Sequence, residues 1–147
     1  MVEMTVQAAA DGACDFGNKS HKVRLIDGTS NMSFADPVKV VKAGAGMPVH
    51  LVGDTVLIDT DDGTFTKSVK IYYGQPANID GKWYQVSVSA DGAKVTAAAA
   101  DVTTGTVKID HPSWTATFVG SKYHQTVSGD ANPVTLPADT YTITNYT

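Results

Sequence analysis

The 147-residue sequence has only one Glu, one Arg and four Leu, so it is poor in several of the residues that most favour helices. In contrast, it has 18 Thr and 18 Val, which are β-branched and favour strands. Thirteen Gly and six Pro supply turns between short apolar stretches. We therefore expect an all-β fold without substantial helix. The expected architecture is an antiparallel β-sandwich, immunoglobulin-like or related, of roughly 10 to 12 short strands.

Three further absences limit the classes of protein. The single cysteine, Cys14, cannot form an internal disulfide, and we expect a surface or edge thiol. The basic residues are scattered in a chain of net charge -4, which argues against a nucleic-acid partner. No apolar run approaches the roughly 18 residues of a membrane-spanning helix, so we expect no transmembrane segment.

The composition also bears on localisation. Residues 1–13 lack the basic start and the continuous apolar centre of a secretion signal. A sequence rich in Thr, Asn, Asp and Gly but poor in Glu and Arg is typical of exported or virion-surface proteins. We therefore expect an extracellular, periplasmic or virion-surface location, with any signal peptide absent from this sequence.

No linker clearly divides the chain, and its length suits one ordinary domain. We expect a single β-sandwich domain over residues 1–147. The short Thr/Gly stretch from Val102 to Gly105 offers the alternative of a larger β unit, residues 1–104, followed by a smaller one, residues 105–147.

The clearest local pattern predicts a hairpin over Lys82 to Asp101 that turns at Asp91-Gly92. This dipeptide is preferred in tight two-residue turns because its backbone tolerates positive φ. The turn sets a register in which one face can be buried, with Val88 opposite Val95, Val86 opposite Ala97 and Tyr84 opposite Ala99. The other face carries polar residues, so the alternation and the register agree.

A second hairpin is predicted to turn at Asp62-Gly63 through a loop of two or three residues. The two-residue loop pairs Ile58 with Lys67 and Val56 with Val69. The second arm of this hairpin alternates, and its apolar side consists of Phe65, Val69, Ile71 and Tyr73. Such an arm suits the centre of a sheet.

Near the end of the sequence, Leu136-Pro137-Ala138-Asp139 leads into Tyr141 and Ile143. This segment resembles the turn-then-strand ending of prealbumin-like and related immunoglobulin-like modules of secreted bacterial proteins. Asp139 stands where Gly is usual in that ending. The resemblance implies an exported sandwich and carries no function with it.

The sequence offers no catalytic constellation. The four histidines lie far apart, so they form no local pair of zinc ligands, and we expect ordinary surface or strand-end residues. No Gly-x-Ser-x-Gly turn is present, and with one Glu the paired acids of a glycosidase would have to include Asp. We therefore expect that the protein is not an enzyme.

The densest acidic cluster is Asp59-Thr60-Asp61-Asp62-Gly63. Asp59, Asp61 and Gly63 imitate the start of a calcium loop, although no distant Glu completes the ligand set. The candidate ligands are Asp59, Asp61 and Asp62. The cluster predicts either a solvated hairpin tip or a weak Ca²⁺ site, with Asp54 or Asp27 as supplementary ligands. We expect no other cofactor.

Aromatic residues give a second candidate site. In the first hairpin Trp83 lies on the polar face beside Gln85, and Tyr72 points away from the apolar side of the second hairpin. Exposed aromatic rings with polar neighbours can stack against sugar rings. A carbohydrate site would use Trp83 and Gln85 with Tyr72 or Tyr73, unless a second layer covers the indole. Trp114 alternates with Ala116 and Phe118 and is expected in the core.

From these patterns we expect a non-catalytic, exported or particle-surface β-sandwich with a structural or protein-interaction role. Its partner would be a protein surface, with self-association as one form. The alternative is a carbohydrate-binding module that uses exposed aromatic residues and a glycan ligand.

Overall fold

The computed structural model describes residues 8–42 and 49–147 of the chain. The described residues form fourteen β-strands and no helix, and the strands pair in antiparallel fashion. The strands are β1 Ala9–Phe16, β2 Lys19–Ile26, β3 Lys39–Lys42, β4 Val49–Val52, β5 Thr55–Asp59, β6 Ser68–Tyr72, β7 Ala77–Ile79, β8 Lys82–Val88, β9 Val95–Ala99, β10 Thr104–Val107, β11 Trp114–Val119, β12 His124–Gly129, β13 Val134–Pro137 and β14 Thr142–Tyr146. The predicted all-β class is confirmed, with more strands than expected because several are only three or four residues long.

The chain divides into two compact units, residues 1–100 and residues 101–147. The first unit contains a four-stranded sheet of order β1-β2-β5-β6, a three-stranded sheet of order β7-β8-β9 and the separate β3-β4 hairpin. The second contains a three-stranded sheet of order β12-β11-β14 and the β10-β13 pair. The expectation of a single domain stays a prediction.

One hydrophobic core holds the first unit together. The four-stranded sheet contributes buried side chains such as Val23, Leu25 and Ile58, and the three-stranded sheet contributes others such as Val86. At the edges, β1 also lies against β9, and β6 lies against β7. Cys14 lies on β1, the edge strand of its sheet, so the expected edge position is confirmed. It is not a surface thiol, because it belongs to this core and is only 3% exposed, and burial raises its pKa.

The register predicted for the β8-β9 hairpin is confirmed. Val86 pairs with Ala97, and the alternating side chains of β8 are buried on one face. The turn itself differs from a two-residue loop. The Gly92 N–H donates to the Ser89 carbonyl oxygen at 2.9 Å, and of the Asp-Gly pair only Gly92 has a positive φ, +74°. A wider turn therefore preserves the predicted pairing.

The β5-β6 hairpin forms, but both predicted loop lengths are wrong. Val56 pairs with Ile71 and Ile58 with Val69, whereas the two-residue loop predicted partners two positions earlier in the sequence. Residues 60–67 form the connection. Val69, Ile71 and Tyr73 face the core as predicted. Phe65 does not, because it lies in the connecting loop with a positive φ of +59°.

The second unit has a smaller core of Trp114, Ala116, Phe118 and Leu136, which confirms Trp114 as a core residue. The Trp114 ring lies across Gly129, its partner on β12, and a Cβ at Gly129 would come within 2.6 Å of the ring. The indole N–H donates to the Asp130 carbonyl oxygen at 2.7 Å. The missing side chain at Gly129 therefore makes room for the largest core residue.

Among the described residues, none lies in a helix that is long and apolar enough to span a membrane.

Candidate functional site

An open groove of about 470 Å³ lies on the outward face of the four-stranded sheet. We call it the sheet groove. Its floor includes side chains from three adjacent strands and its rim includes β4, with Ile26, Leu51, Val52, Leu57, Lys70 and Tyr72 among the lining residues. The mixture of aliphatic side chains, one phenol and one ammonium group suits a ligand that is partly apolar.

The floor exists because β5 carries an aliphatic side chain on its outward face as well as on its core face. In β5, Val56 and Ile58 face the core, while Leu57 between them faces outward. Leu57 is half-buried and pairs with the exposed Lys70 on β6. The Lys70 ammonium lies 5.3 Å from the centre of the Tyr72 ring. A cation above a ring is an attractive contact that helps to fix both side chains.

Asp54 fixes the base of the β3-β4 hairpin against the sheet. Its carboxylate accepts the backbone N–H groups of Gly28 at 2.9 Å and Asp36 at 2.7 Å. Its backbone N–H donates to the Asp36 carbonyl oxygen, and its carbonyl oxygen accepts the Tyr73 N–H. Burial raises the pKa of Asp54. The rim of the groove is therefore anchored at the point where the hairpin leaves the sheet.

Asp27 organises the neighbouring loop. Its carboxylate accepts the N–H groups of Met32 at 2.7 Å and Thr29 at 3.0 Å, and Met32 and Ser30 both have positive φ. Burial opposes ionisation of Asp27, but these hydrogen bonds hold its pKa below the usual range. The buried carboxylate therefore stabilises a loop conformation that non-glycine residues rarely adopt.

A second groove, of about 370 Å³, lies over β1 and β2 beside loop 60–67. Arg24 forms a bidentate pair with Asp11 at 2.7 and 2.9 Å, and its guanidinium lies 4.5 Å from the centre of the Phe65 ring. These contacts explain how Phe65 leaves the predicted strand. Its ring packs against the only arginine of the chain instead of the core.

The predicted calcium ligands make separate contacts. The Asp59 carboxylate accepts the N–H groups of Gly63 and Phe65, and the Asp62 carboxylate accepts the N–H and hydroxyl of Thr64. Asp61 lies 3.6 Å from the Lys67 ammonium. Across residues 8–42 and 49–147, no three His, Cys, Asp or Glu side chains are grouped so that they could hold a metal ion. Nor do Asp27 and Asp54 supplement the cluster, since both bind backbone groups elsewhere.

The predicted carbohydrate residues lie on two sheets of the first unit. Trp83 is half-buried and alternates with the core-facing residues of β8, on the same side as the exposed Gln85. Tyr72 lines the sheet groove, on the outward face of the other sheet. Tyr73 packs against the core. Trp83 and Gln85 therefore belong to the three-stranded sheet, and Tyr72 belongs to the four-stranded sheet.

Two histidines are buried and not on the surface, although His124 is the first residue of β12 and thus a strand-end residue as expected. His21 is buried, and its ring nitrogens contact the Asp59 carbonyl oxygen at 2.8 Å and an Asp80 carboxylate oxygen at 3.1 Å. His124 is also buried, and burial lowers its pKa. The signal for His21 was its alternation with Val23 and Leu25 on the core side of β2. The side chain of His50 lies outside the described part of the structure.

Asp139 joins two turns of the second unit. Its carboxylate accepts the backbone N–H groups of Lys122 at 2.9 Å and Tyr123 at 3.1 Å, which hold its pKa well below the usual range. A Cβ at Gly120 would meet the same carboxylate at 2.2 Å. Nearby, burial raises the pKa of Tyr141 to about 12, and its hydroxyl donates to the Pro137 carbonyl oxygen. These contacts give a structural role to the aspartate that departs from the usual Gly.

No protein-family model, curated protein or solved structure matches this chain. The candidate site therefore depends on its own geometry.

Proposed function

We propose that this chain is a non-catalytic interaction module that recognises a protein surface through the sheet groove. We further propose a β-sandwich, immunoglobulin-like or related, for the first unit, because its two principal sheets contribute to one core. The composition supports an exported or particle-surface location. Self-association is one form that this interaction would take.

The observation that carries the proposal is the group of aliphatic and aromatic side chains on the floor of an outward-facing groove. Ile26, Leu57 and Tyr72 are half-buried on a sheet face that would carry polar residues if water alone covered it. Aliphatic side chains beside a tyrosine are typical of the central part of a protein interface. We infer that the groove accepts one or two apolar side chains of an extended protein segment.

A displayed library of random peptides tests this proposal with a defined probe. Peptides would be selected on the wild-type chain and measured against Leu57→Arg, which places a charge on the groove floor. Ser87→Arg is the matched control, because Ser87 is an exposed, outward-facing residue of the other sheet. We expect the selected peptides to lose at least about tenfold in affinity for Leu57→Arg and to bind Ser87→Arg like wild type.

Two outcomes would contradict the proposal. One is a library from which no peptide is enriched on the wild-type chain. The other is a set of peptides that binds Leu57→Arg as tightly as the wild type, provided that both chains unfold at the same urea concentration.

A carbohydrate-binding role is the second candidate, and the half-buried Trp83 beside the exposed Gln85 favours it. A partly exposed indole with a neighbouring amide offers a stacking face and hydrogen bonds to a sugar. A glycan array would be probed with the wild type, Trp83→Ala and Tyr72→Ala. Glycan binding that only Trp83→Ala abolishes supports this candidate, and an array without any bound glycan rejects it.

A further inference from the structure

Two consecutive residues of the β3-β4 hairpin are exposed to solvent on its opposite sides. Val40 and Val41 are consecutive strand residues, so their side chains point to opposite sides of the hairpin. They are 45% and 43% exposed, and Val52 on the partner strand is 41% exposed. None of these three valines belongs to the hydrophobic cores of the described residues.

An uncovered two-stranded hairpin is an unfavourable arrangement in water. Such hairpins are marginally stable at best without a third strand or a packed face. Here the base is fixed by Asp54 and Asp36, while the valines beyond it gain little from the core. Large aliphatic side chains exposed on both sides point to a surface that is covered by something else.

The charge of the hairpin segment differs from that of the whole chain. Although the chain has a net charge of -4, the sequence from Pro37 to Gly53 contains Lys39 and Lys42 and no Asp or Glu. The flanking Asp36 and Asp54 form hydrogen bonds at the base. Asp36 accepts the Thr29 hydroxyl at 2.8 Å, and Asp54 accepts two backbone N–H groups. The hairpin segment is therefore cationic, and its described valines are exposed.

We propose that the β3-β4 hairpin docks on the surface of an anionic lipid bilayer. A flat protein surface would cover one side of the hairpin and leave either Val40 or Val41 in water. The boundary between headgroups and acyl chains surrounds an inserted hairpin and covers both sides. The Lys39 ammonium group, on its flexible stem, can extend to the lipid phosphates. Both the two-sided exposure and the positive charge thus match a lipid partner.

Vesicle co-sedimentation tests the proposal on the full chain. Phosphatidylcholine vesicles with and without phosphatidylglycerol would be compared at low and high salt. We expect binding to the anionic vesicles that weakens at high salt. Lys39→Gln should lower this partitioning by about fivefold, the usual contribution of one basic residue near an anionic surface, and should not affect the neutral vesicles.

The apolar contribution is tested with Val40→Thr/Val41→Thr, which keeps β-branched residues in the strand. We expect its partitioning onto anionic vesicles to fall by at least about tenfold. Ile143→Thr is the matched control, since Ile143 is a 49% exposed strand residue of the second unit. Leu57→Arg separates this surface from the sheet groove and should bind vesicles at least as well as the wild type.

Several results would overturn the proposal. These are a wild-type chain that does not sediment with anionic vesicles, equal binding to neutral vesicles, or a double valine variant that binds like Ile143→Thr. Sedimentation velocity provides the remaining check. Wild-type dimers that the two valine substitutions dissociate would assign the hairpin to a second copy of the chain and reject the lipid surface.

Discussion

Replacing Gly92 by Ala should destabilise the first unit, and the loss of unfolding free energy has two contributions. Gly92 has a φ of +74°, where a side chain costs about 1 kcal/mol. An added Cβ would also lie 2.8 Å from a ring carbon of the buried Phe34, and crowding of this kind costs about 1 to 3 kcal/mol. We therefore expect a total loss of about 2 to 4 kcal/mol.

Gly81 provides the matched control for this prediction. It has a similar φ of +81° in the turn between β7 and β8, but an added Cβ would meet nothing within 4 Å. Gly81→Ala should therefore cost only the backbone contribution, about 1 kcal/mol. The difference between the two variants measures the contact between the Gly92 turn and Phe34.

The assay is urea unfolding followed by the NMR signals of Val86 and Val88, which report on the first unit. In a Phe34→Ala background the contact is absent, so Gly92→Ala should cost no more than Gly81→Ala. The reasoning is refuted if the two glycine variants are equally stable in the wild-type background. That result would mean that the loop bearing Phe34 does not pack on this turn.

Three further predictions concern other parts of the chain. Trp83→Ala should lower the free energy of unfolding by about 1 to 2 kcal/mol, less than the loss of a fully buried indole, because Trp83 is half-buried and lies outside the core cluster. Urea unfolding measures this loss, and a value above about 3 kcal/mol would contradict the prediction. Gly129→Ala should lower the unfolding midpoint of the second unit and shift Trp114 fluorescence to longer wavelength, because the new Cβ displaces the Trp114 ring. An unchanged emission spectrum would contradict this prediction. The folded-state pKa of Asp139 is depressed, so its stabilisation is present above the ordinary carboxyl pKa and is lost as pH falls toward the folded value. Thermal unfolding of Asp139→Asn between about pH 6 and about pH 2.5 should therefore show a smaller acid-side loss than the wild type, and equal losses would argue against this role.

The sequence predicted those features of the fold that depend on local alternation. The register of β8 and β9 followed from the alternation of side chains in two adjacent segments. The predicted pairing is correct even though the turn is wider than expected. The β5-β6 register did not follow, because it depends on the hydrogen bonds that the Gly63 and Phe65 N–H groups donate to the Asp59 carboxylate. A side chain that replaces backbone pairing in a loop leaves no periodic signal.

The candidate site was harder to predict because it depends on contacts between distant segments. Tyr72 was identified as an outward-facing aromatic residue, yet its neighbours in the sheet groove come from β2, β4 and β5. Sequence alternation assigns a residue to a face but does not say which sheet lies opposite. For the same reason Trp83 was grouped with Tyr72, although they lie on the outward faces of different sheets.

The most direct test of the proposed interaction surface is an NMR titration of the wild-type chain with a peptide selected from the library. If the sheet groove is the binding surface, the largest shifts will occur at Ile26, Leu57 and Tyr72, and Trp83 and Gln85 will remain unchanged. Shifts centred on Trp83 and Gln85 would place the ligand on the other sheet and contradict the account.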